Sequence, residues 1–375
     1  MKGFKAGALL LAAAATFSFT LAGCSPSGGG ATTAPAGTTA PAATATTAPA
    51  QGGAVTIAML PKFKGENYFD AVKVGAEEAA KELGVTLLYD GPPQSDATNQ
   101  NQVNILEGWI AQGVKAILIS PNDPAAIVPT IKKAQDAGIK VVTFDADAKQ
   151  RDLFINQASY DAIGQGMVKA VATSLTAKGY GASKPANVGM VSSAKTDANQ
   201  NAWIAAIKKA MATPEYSWLK IANEDTDIYY PGPDETANQK DAGTLISRMG
   251  PDAKQIQAAI GLSSMAAPAL GAAYEAAAQK PDPKVVTMTG IATPNGLKQY
   301  ILNDNNPLDS GVLWNCMDLG YLSVQAAYQM ATGKITADST TMTAGRLGDR
   351  AIADHMILLG DALIFDKTNV EKYNY

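Results

Sequence analysis

The chain has 375 residues, enough for two ordinary domains, of which 46% are hydrophobic and 17% charged. A formal charge of −4 leaves no basic footprint, so no nucleic-acid partner is expected. Two cysteines, Cys24 and Cys316, and one histidine, His355, exclude a disulfide framework and a zinc site built from several His or Cys ligands.

The N-terminus reads as an export signal: Lys2 and Lys5 form a basic region and Ala6–Thr20 an apolar one. Leu21-Ala22-Gly23-Cys24 has the pattern of a bacterial lipobox, which makes 1–23 a lipoprotein signal peptide and Cys24 the lipidated residue. Residues 24–53 are a linker of mostly Ala, Thr, Pro, Gly and Ser, uncharged and unable to bury a core. As a coil it spans roughly 30 Å.

Folded sequence begins near Ala54. Val55–Met59 is an apolar run, the pattern of a strand buried on both faces. Phe69, Val72, Ala76, Ala79 and Leu83 then recur at spacings of three and four, a helix that Asn67 caps and Gly84 ends. Strand-like runs go on alternating with helical ones. Val85–Tyr89, Ala116–Ser120, Lys140–Phe144, Leu153–Ile155, Asn187–Val191, Trp218–Ala222, Ile256–Ile260, Val285–Met288 and Gly311–Asn315 read as strands. The helices between them run near 98–112, 124–137, 159–178, 199–211, 235–249, 265–279, 295–302 and 319–332. This rhythm means an α/β fold of parallel sheets with right-handed crossovers, too many strands for one sheet and hence two similar lobes. From 340 on the rhythm breaks; Ile357–Leu359 and Leu363–Phe365 read as short added strands.

No GxSxG, HExxH, P-loop or GxGxxG with a suitable acid is present, His355 stands alone in the irregular tail, and Cys316 reads as a buried thiol. An enzyme is not expected. Polar residues collect instead where strands end, which is where open α/β sheets hold ligands. Lys62, Asp145, Asn199, Gln200, Ser263, Ser264, Asn315 and Asp318 all stand at such ends. Tyr68, Phe69, Trp203 and Trp314 lie near them and offer ring faces to the apolar side of a sugar.

Several motifs then fall in one order: IAMLPK at 57–62, YDGP at 89–92, FDAD at 144–147, INQ at 155–157, DANQNAW at 197–203, TPN at 293–295, LWN and DLGY at 313–321, and FDKTNVEKY at 365–373. In this order and spacing the chain resembles the type I periplasmic sugar-binding proteins of ABC importers, within them the rhamnose-binding and autoinducer-2-binding group. The resemblance implies two Rossmann-like parallel-sheet lobes joined by a three-strand hinge, with crossovers near 150–158, 313–318 and 335–342. It assigns 54–155 and 317–338 to an N-terminal lobe, and 156–316 and 339–375 to a C-terminal lobe. Carried over by motif position, the ligand contacts are Lys62 and Asp145 from one lobe and Asn199, Gln200, Leu262 and Ser264 from the other, with Asn315 in the hinge. Tyr68, Phe69 and Asp318 complete the expected site.

The resemblance also implies a monomer anchored outside the cell membrane, without a cofactor, that hands a small neutral sugar to ABC permease subunits. An autoinducer-2 receptor or a partner of a sugar-sensing chemoreceptor is the alternative. Autoinducer-2 binders carry Asp where this chain has Asn199, Pro at Leu262, Ala at Ser264 and a hinge Asp at Asn315. Lys62, Asp145 and Gln200 are kept. These departures favour a deoxyhexose such as rhamnose, or a pentose.

Overall fold

The computed structural model describes residues 55–375; the expected signal peptide, Cys24 and the expected linker lie outside the described residues. The chain runs through β1 (Thr56–Leu60), α1 (Asn67–Leu83), β2 (Thr86–Tyr89), α2 (Asn99–Gln112), β3 (Ala116–Ile119), α3 (Val128–Asp136), β4 (Lys140–Phe144) and β5 (Leu153–Asn156). It continues through α4 (Tyr160–Ala177), β6 (Ala186–Val191), α5 (Ala198–Met211), β7 (Leu219–Lys220), α6 (Glu224–Asp227), β8 (Ile228–Tyr229), α7 (Glu235–Ser247), β9 (Ala258–Gly261), α8 (Ala266–Ala276), β10 (Thr287–Gly290), α9 (Pro294–Ile301) and β11 (Ser310–Leu313). Last come α10 (Cys316–Ala331), β12 (Thr341–Thr343), β13 (Asp349–Ala351), β14 (Met356–Leu358) and β15 (Leu363–Asp366).

Two parallel sheets result, each walled by helices. The first has the order β14-β5-β4-β3-β1-β2 and the second β10-β9-β6-β7, with β8 also on β6. The central strands β1, β3, β4, β6 and β9 are apolar and buried nearly throughout, as parallel strands covered on both faces must be. Helix α1 ends as its sequence predicts, with Gly84 left-handed at φ 64°. It starts one residue earlier than predicted. Glu66, in extended backbone, caps it by accepting the Tyr68 N–H at 3.1 Å, while Asn67 is its first helical residue. A side-chain oxygen that accepts at this position suits the positive end of the helix.

Three passages join the lobes. The first leads from β5 into α4, which packs on α5 and β10 in the second lobe. The second, at Trp314 and Asn315, leads from β11 to α10, which packs back on α1, β3 and β4. The third runs later than 335–342. Met356–Leu358 pairs in parallel with β5, so the hairpin β12–β13 and β14 stay with the first lobe, and only from β15, antiparallel to β11, does the chain rejoin the second. The crossing therefore lies in 359–362. Its position is set by pairing between strands far apart in sequence, which no local pattern records.

Helix α10 lies unusually close to α1. A Cβ added to Gly75 would sit 1.8 Å from the Met317 carbonyl oxygen, and one added to Gly320 the same distance from that of Val72. Among the described residues, no helix is long and apolar enough to cross a membrane.

Candidate functional site

A cavity of about 240 Å³ lies between the lobes, where the carboxyl ends of β1, β4, β6 and β9 face each other. That is somewhat below the usual range for pockets of drug-sized ligands, and it suits a small one. The first lobe lines it with Lys62, Phe63, Tyr68, Phe69, Asn122 and Asp145. The second supplies Asp197, Asn199, Gln200, Trp203, Ser263 and Ser264, and Trp314 stands at the hinge.

Asp145 is the centre of the first-lobe wall. Its carboxylate accepts from Tyr68 Oη at 2.7 Å and from Ser120 Oγ at 2.8 Å. Its backbone is left-handed at φ 61°, and the Ala146 N–H closes a three-residue turn onto the Phe144 carbonyl at 2.6 Å. This γ-turn of the rare, strained hand aims the carboxylate into the cleft. Burial raises the carboxyl above the usual range, and the Lys62 ammonium, Tyr68 and Ser120 only partly offset it. Burial also drives the Tyr68 phenol up, helped by the Asp145 charge, so Tyr68 remains a donor.

The lobes touch across the cavity through polar groups. Lys62 Nζ donates to Asp197 Oδ1 at 2.7 Å, with both side chains less than a tenth exposed. Burial pulls the Lys62 ammonium down, but Asp197 and Asp145 together outweigh it and leave the group above its ordinary value. For Asp197, burial pushes the carboxyl up while Lys62 pulls it further down, so it stays ionised. Asn199 Nδ2 donates to the Asp145 carbonyl at 2.8 Å, and Tyr160 Oη donates to Asn199 Oδ1 at 3.3 Å. Above the cavity Gln94 Nε2 reaches the Pro233 carbonyl at 3.4 Å.

Rings enclose the rest. Tyr68 stands edge-on to Phe69 and Trp314, with centroids 4.9 and 5.7 Å apart, and Trp314 Nε1 donates to Tyr68 Oη at 3.2 Å. Trp203 lies 5.9 Å from Trp314. Donors, acceptors and ring faces around a small volume can hold a polyhydroxylated molecule with apolar C–H faces. Among the described residues no group of three or more His, Cys, Asp or Glu is arranged to hold a metal.

Of the expected site residues, Lys62, Tyr68, Phe69, Asp145, Asn199, Gln200 and Ser264 line this cavity. Three do not. Leu262 is fully buried in the core and offers only its carbonyl, which accepts Gln200 Nε2 at 3.2 Å. Asn315 is exposed and caps α10 through the Asp318 N–H. Asp318 turns outward, paired with Arg346 at 2.6 Å.

Asp197 was missed by the sequence reading, and it changes the electrostatics expected of the second lobe. That wall does carry a carboxylate, two residues before Asn199. At the first turn of α5 Asp197 makes no side-chain cap bond and gives its oxygens to Lys62 and to the Ala194 N–H. Glu66 was missed too. Half-buried in a groove between the lobes beside Gln94, Glu235 and Ser264, it leaves Oε2 shielded and unpartnered. Burial pushes its carboxyl up to about 7 against the Tyr68 N–H and Ser264. His355 is exposed on the tail, and Cys316 is a buried free thiol.

A model of the periplasmic binding protein domain matches residues 57–335. Among characterised relatives, the chain is 36% identical over 90 residues to the D-ribose/D-allose-binding protein of Pseudomonas aeruginosa, covering 24% of this chain and 28% of that one. It is 33% identical over 114 residues to the ribose import binding protein RbsB of Bacillus subtilis, covering 30% and 36%. The matched stretches thus span about a third of those relatives. Structural likeness is broader. LsrB from Clostridium saccharobutylicum in complex with AI-2 superposes with a TM-score of 0.76 and 27% identity, over 86% of this chain and 100% of that one. A solute-binding protein from Clostridium phytofermentas with bound L-rhamnose gives 0.74 at 24% identity, over 86% and 98%, a likeness of fold.

Proposed function

The chain belongs to the periplasmic binding protein family, and on that premise we propose that it is the solute-binding component of an ABC importer that closes its two lobes over a small neutral sugar. The observation that carries this reading is the cavity itself, in which both lobes contribute hydrogen-bonding side chains around one small volume flanked by rings. A ligand contacting both walls stabilises the closed arrangement over an open one, and only such differential contact drives closure. The lobes divide at the three passages described above. Cys24 carries the lipid that holds the protein outside the membrane, and the permease subunits receive the sugar. Rhamnose or a pentose is the favoured ligand. A second reading, AI-2, is favoured by the Asp197 carboxylate beside Lys62 and by the likeness to LsrB.

Thermal shift and calorimetry against L-rhamnose, L-fucose, D-ribose, D-xylose, D-arabinose and AI-2 test it. A true ligand at 100 times its Kd adds about 2.7 kcal/mol of stability. Tightest binding of AI-2 selects the second reading, and no binding across the panel overturns both. Scattering at saturation should show a smaller radius of gyration than without ligand.

A further inference from the structure

We infer that Gln102 is a positioning residue of the ligand site, tying together from behind the two loops that carry Lys62 and the Ser120 hydroxyl beneath Asp145. This rests on the sugar-binding reading and goes further, since Gln102 does not line the cavity and acts on groups that do.

On α2 the buried residues are Gln102, Leu106 and Trp109, at helical spacing. That is the stripe a helix turns to the core, where an apolar residue is expected at the first position as at the other two. Gln102 is fully buried there. A buried amide is costly unless its hydrogen bonds are made. Here they are made, and all to the ends of two strands. β1 and β3 are parallel neighbours whose last paired residues are Leu60 and Ile119. Just past them the ladder stops, and the Pro61 and Ser120 carbonyls need partners. Gln102 Nε2 donates to both, at 3.1 and 2.9 Å. Gln102 Oε1 accepts the Asn122 N–H at 2.9 Å.

Each bond bears on a cavity group. Lys62 is held on both sides: Gln102 takes the carbonyl before it, and Asn122 Nδ2 donates to its own carbonyl at 2.9 Å. Asn122 is itself seated on Gln102 through its N–H. Ser120, whose carbonyl Gln102 holds, donates Oγ to Asp145 Oδ2 at 2.8 Å. One amide therefore fixes the spacing between the ammonium that meets Asp197 and the hydroxyl that orients Asp145. The arrangement admits one amide orientation, since two carbonyls can face only the NH₂ and an N–H only the oxygen. Gln102→Met keeps the length of the side chain but leaves two carbonyls and an N–H without partners. A site whose groups lose their supports binds more weakly, because the ligand must then order them itself.

The test compares the full chain with Gln102→Met and with Leu106→Ala, a core truncation one turn further along α2. Calorimetry gives Kd for L-rhamnose, L-fucose, D-ribose, D-xylose, D-arabinose and AI-2 at a temperature where circular dichroism shows all three proteins folded. For the tightest-binding of these, Gln102→Met should lose at least about tenfold in affinity. Leu106→Ala should lose less than about threefold, although it lowers the melting temperature. A merely structural role for Gln102 moves the melting temperature and leaves Kd alone. A smaller loss than tenfold in Gln102→Met, or an equal loss in both variants, overturns the inference. Hydrogen exchange gives a readout without ligand: the backbone amides of 62–65 and 120–123 should exchange at least about tenfold faster in Gln102→Met than in Leu106→Ala, and equal protection there also overturns it. Should Gln102→Met fail to fold, Gln102→Asn, whose amide is one methylene short of both loops, is held to the same outcomes. If neither a sugar nor AI-2 binds the unmodified chain, the sugar-binding reading falls, and exchange alone decides whether Gln102 ties the two loops.

Discussion

Lys62→Met probes the contact on which closure depends. In the closed structure its ammonium lies 2.7 Å from Asp197 and raises the charge balance of a cleft that also holds Asp145. Removing it leaves the Asp197 side chain, only 8% exposed, without a cation beside a second carboxylate. Breaking a buried pair by deleting one partner costs roughly 3–5 kcal/mol. When the lobes part, Asp197 returns to water, so this cost falls on closing rather than on folding. The expected result is a loss of ligand affinity of roughly 10²- to 10⁴-fold with the melting temperature of the ligand-free protein little changed. Lys62→Met with Asp197→Asn removes the stranded charge and should regain at least about tenfold of that loss. Calorimetric titration of all three proteins with the tightest-binding sugar of the panel gives the numbers. An affinity for Lys62→Met within threefold of the unmodified protein, or no recovery in the double variant, would refute the view that the cross-cleft pair governs closure.

Asp145→Ala should weaken sugar binding at least about a hundredfold, since it removes a cavity-wall acceptor and releases the Tyr68 and Ser120 hydroxyls it holds in place, whereas Leu262→Ala should lower stability by roughly 2–5 kcal/mol and leave sugar selectivity unchanged; titration and chemical denaturation separate the two. Glu66 makes binding pH-dependent: its closed-state carboxyl, at about 7 against an ordinary 4.5, holds a proton that the solvated group has lost between those values. Closed-state stability therefore falls as pH rises from about 4.5 to 7 and levels off above, in a groove that also holds Glu235 and near Asp70. Kd measured from pH 5 to 8 should follow that slope, Glu66→Gln should flatten it, and an equal slope in the variant would exclude Glu66 as its source. Gly75→Ala drives a methyl onto the Met317 carbonyl and should cost at least roughly 1–3 kcal/mol; a melting temperature unchanged within a degree would mean that α1 and α10 separate freely.

Much of this molecule could be read before its coordinates. Mostly apolar runs of four or five residues, between Gly and Pro for β1 and β3 and after Gly138 for β4, mark these strands because a strand covered on both faces leaves little room for polar residues. Lys62, Tyr68 and Asp145 follow from the rule that ligands sit at the carboxyl ends of such strands. What stayed hidden depends on which way a side chain turns over one or two residues. Asn315 and Asp318 follow a strand end just as Lys62 does, yet there the chain starts a helix at once, and capping uses the amide while Arg346 takes the carboxylate. Leu262 and Ser264 are separated by a single residue, and one is core while the other lines the cleft.

The same difficulty governs selectivity. In Asp197-Ala198-Asn199-Gln200 three polar residues occupy the first turn of α5, where a helix turns by about 100° per residue. Reading Asn199 alone as the residue facing Lys62 leaves an amide opposite the ammonium and argues for a neutral ligand by loss of charge. With Asp197 in that place the ammonium is already neutralised within the protein, and Asn199 instead ties the Asp145 carbonyl to the far lobe. Under the proposed function, a preference for a neutral ligand then has a different cause: a charged ligand would have to compete with an internal ion pair at 2.7 Å, whereas hydroxyls can add to it without displacing either partner.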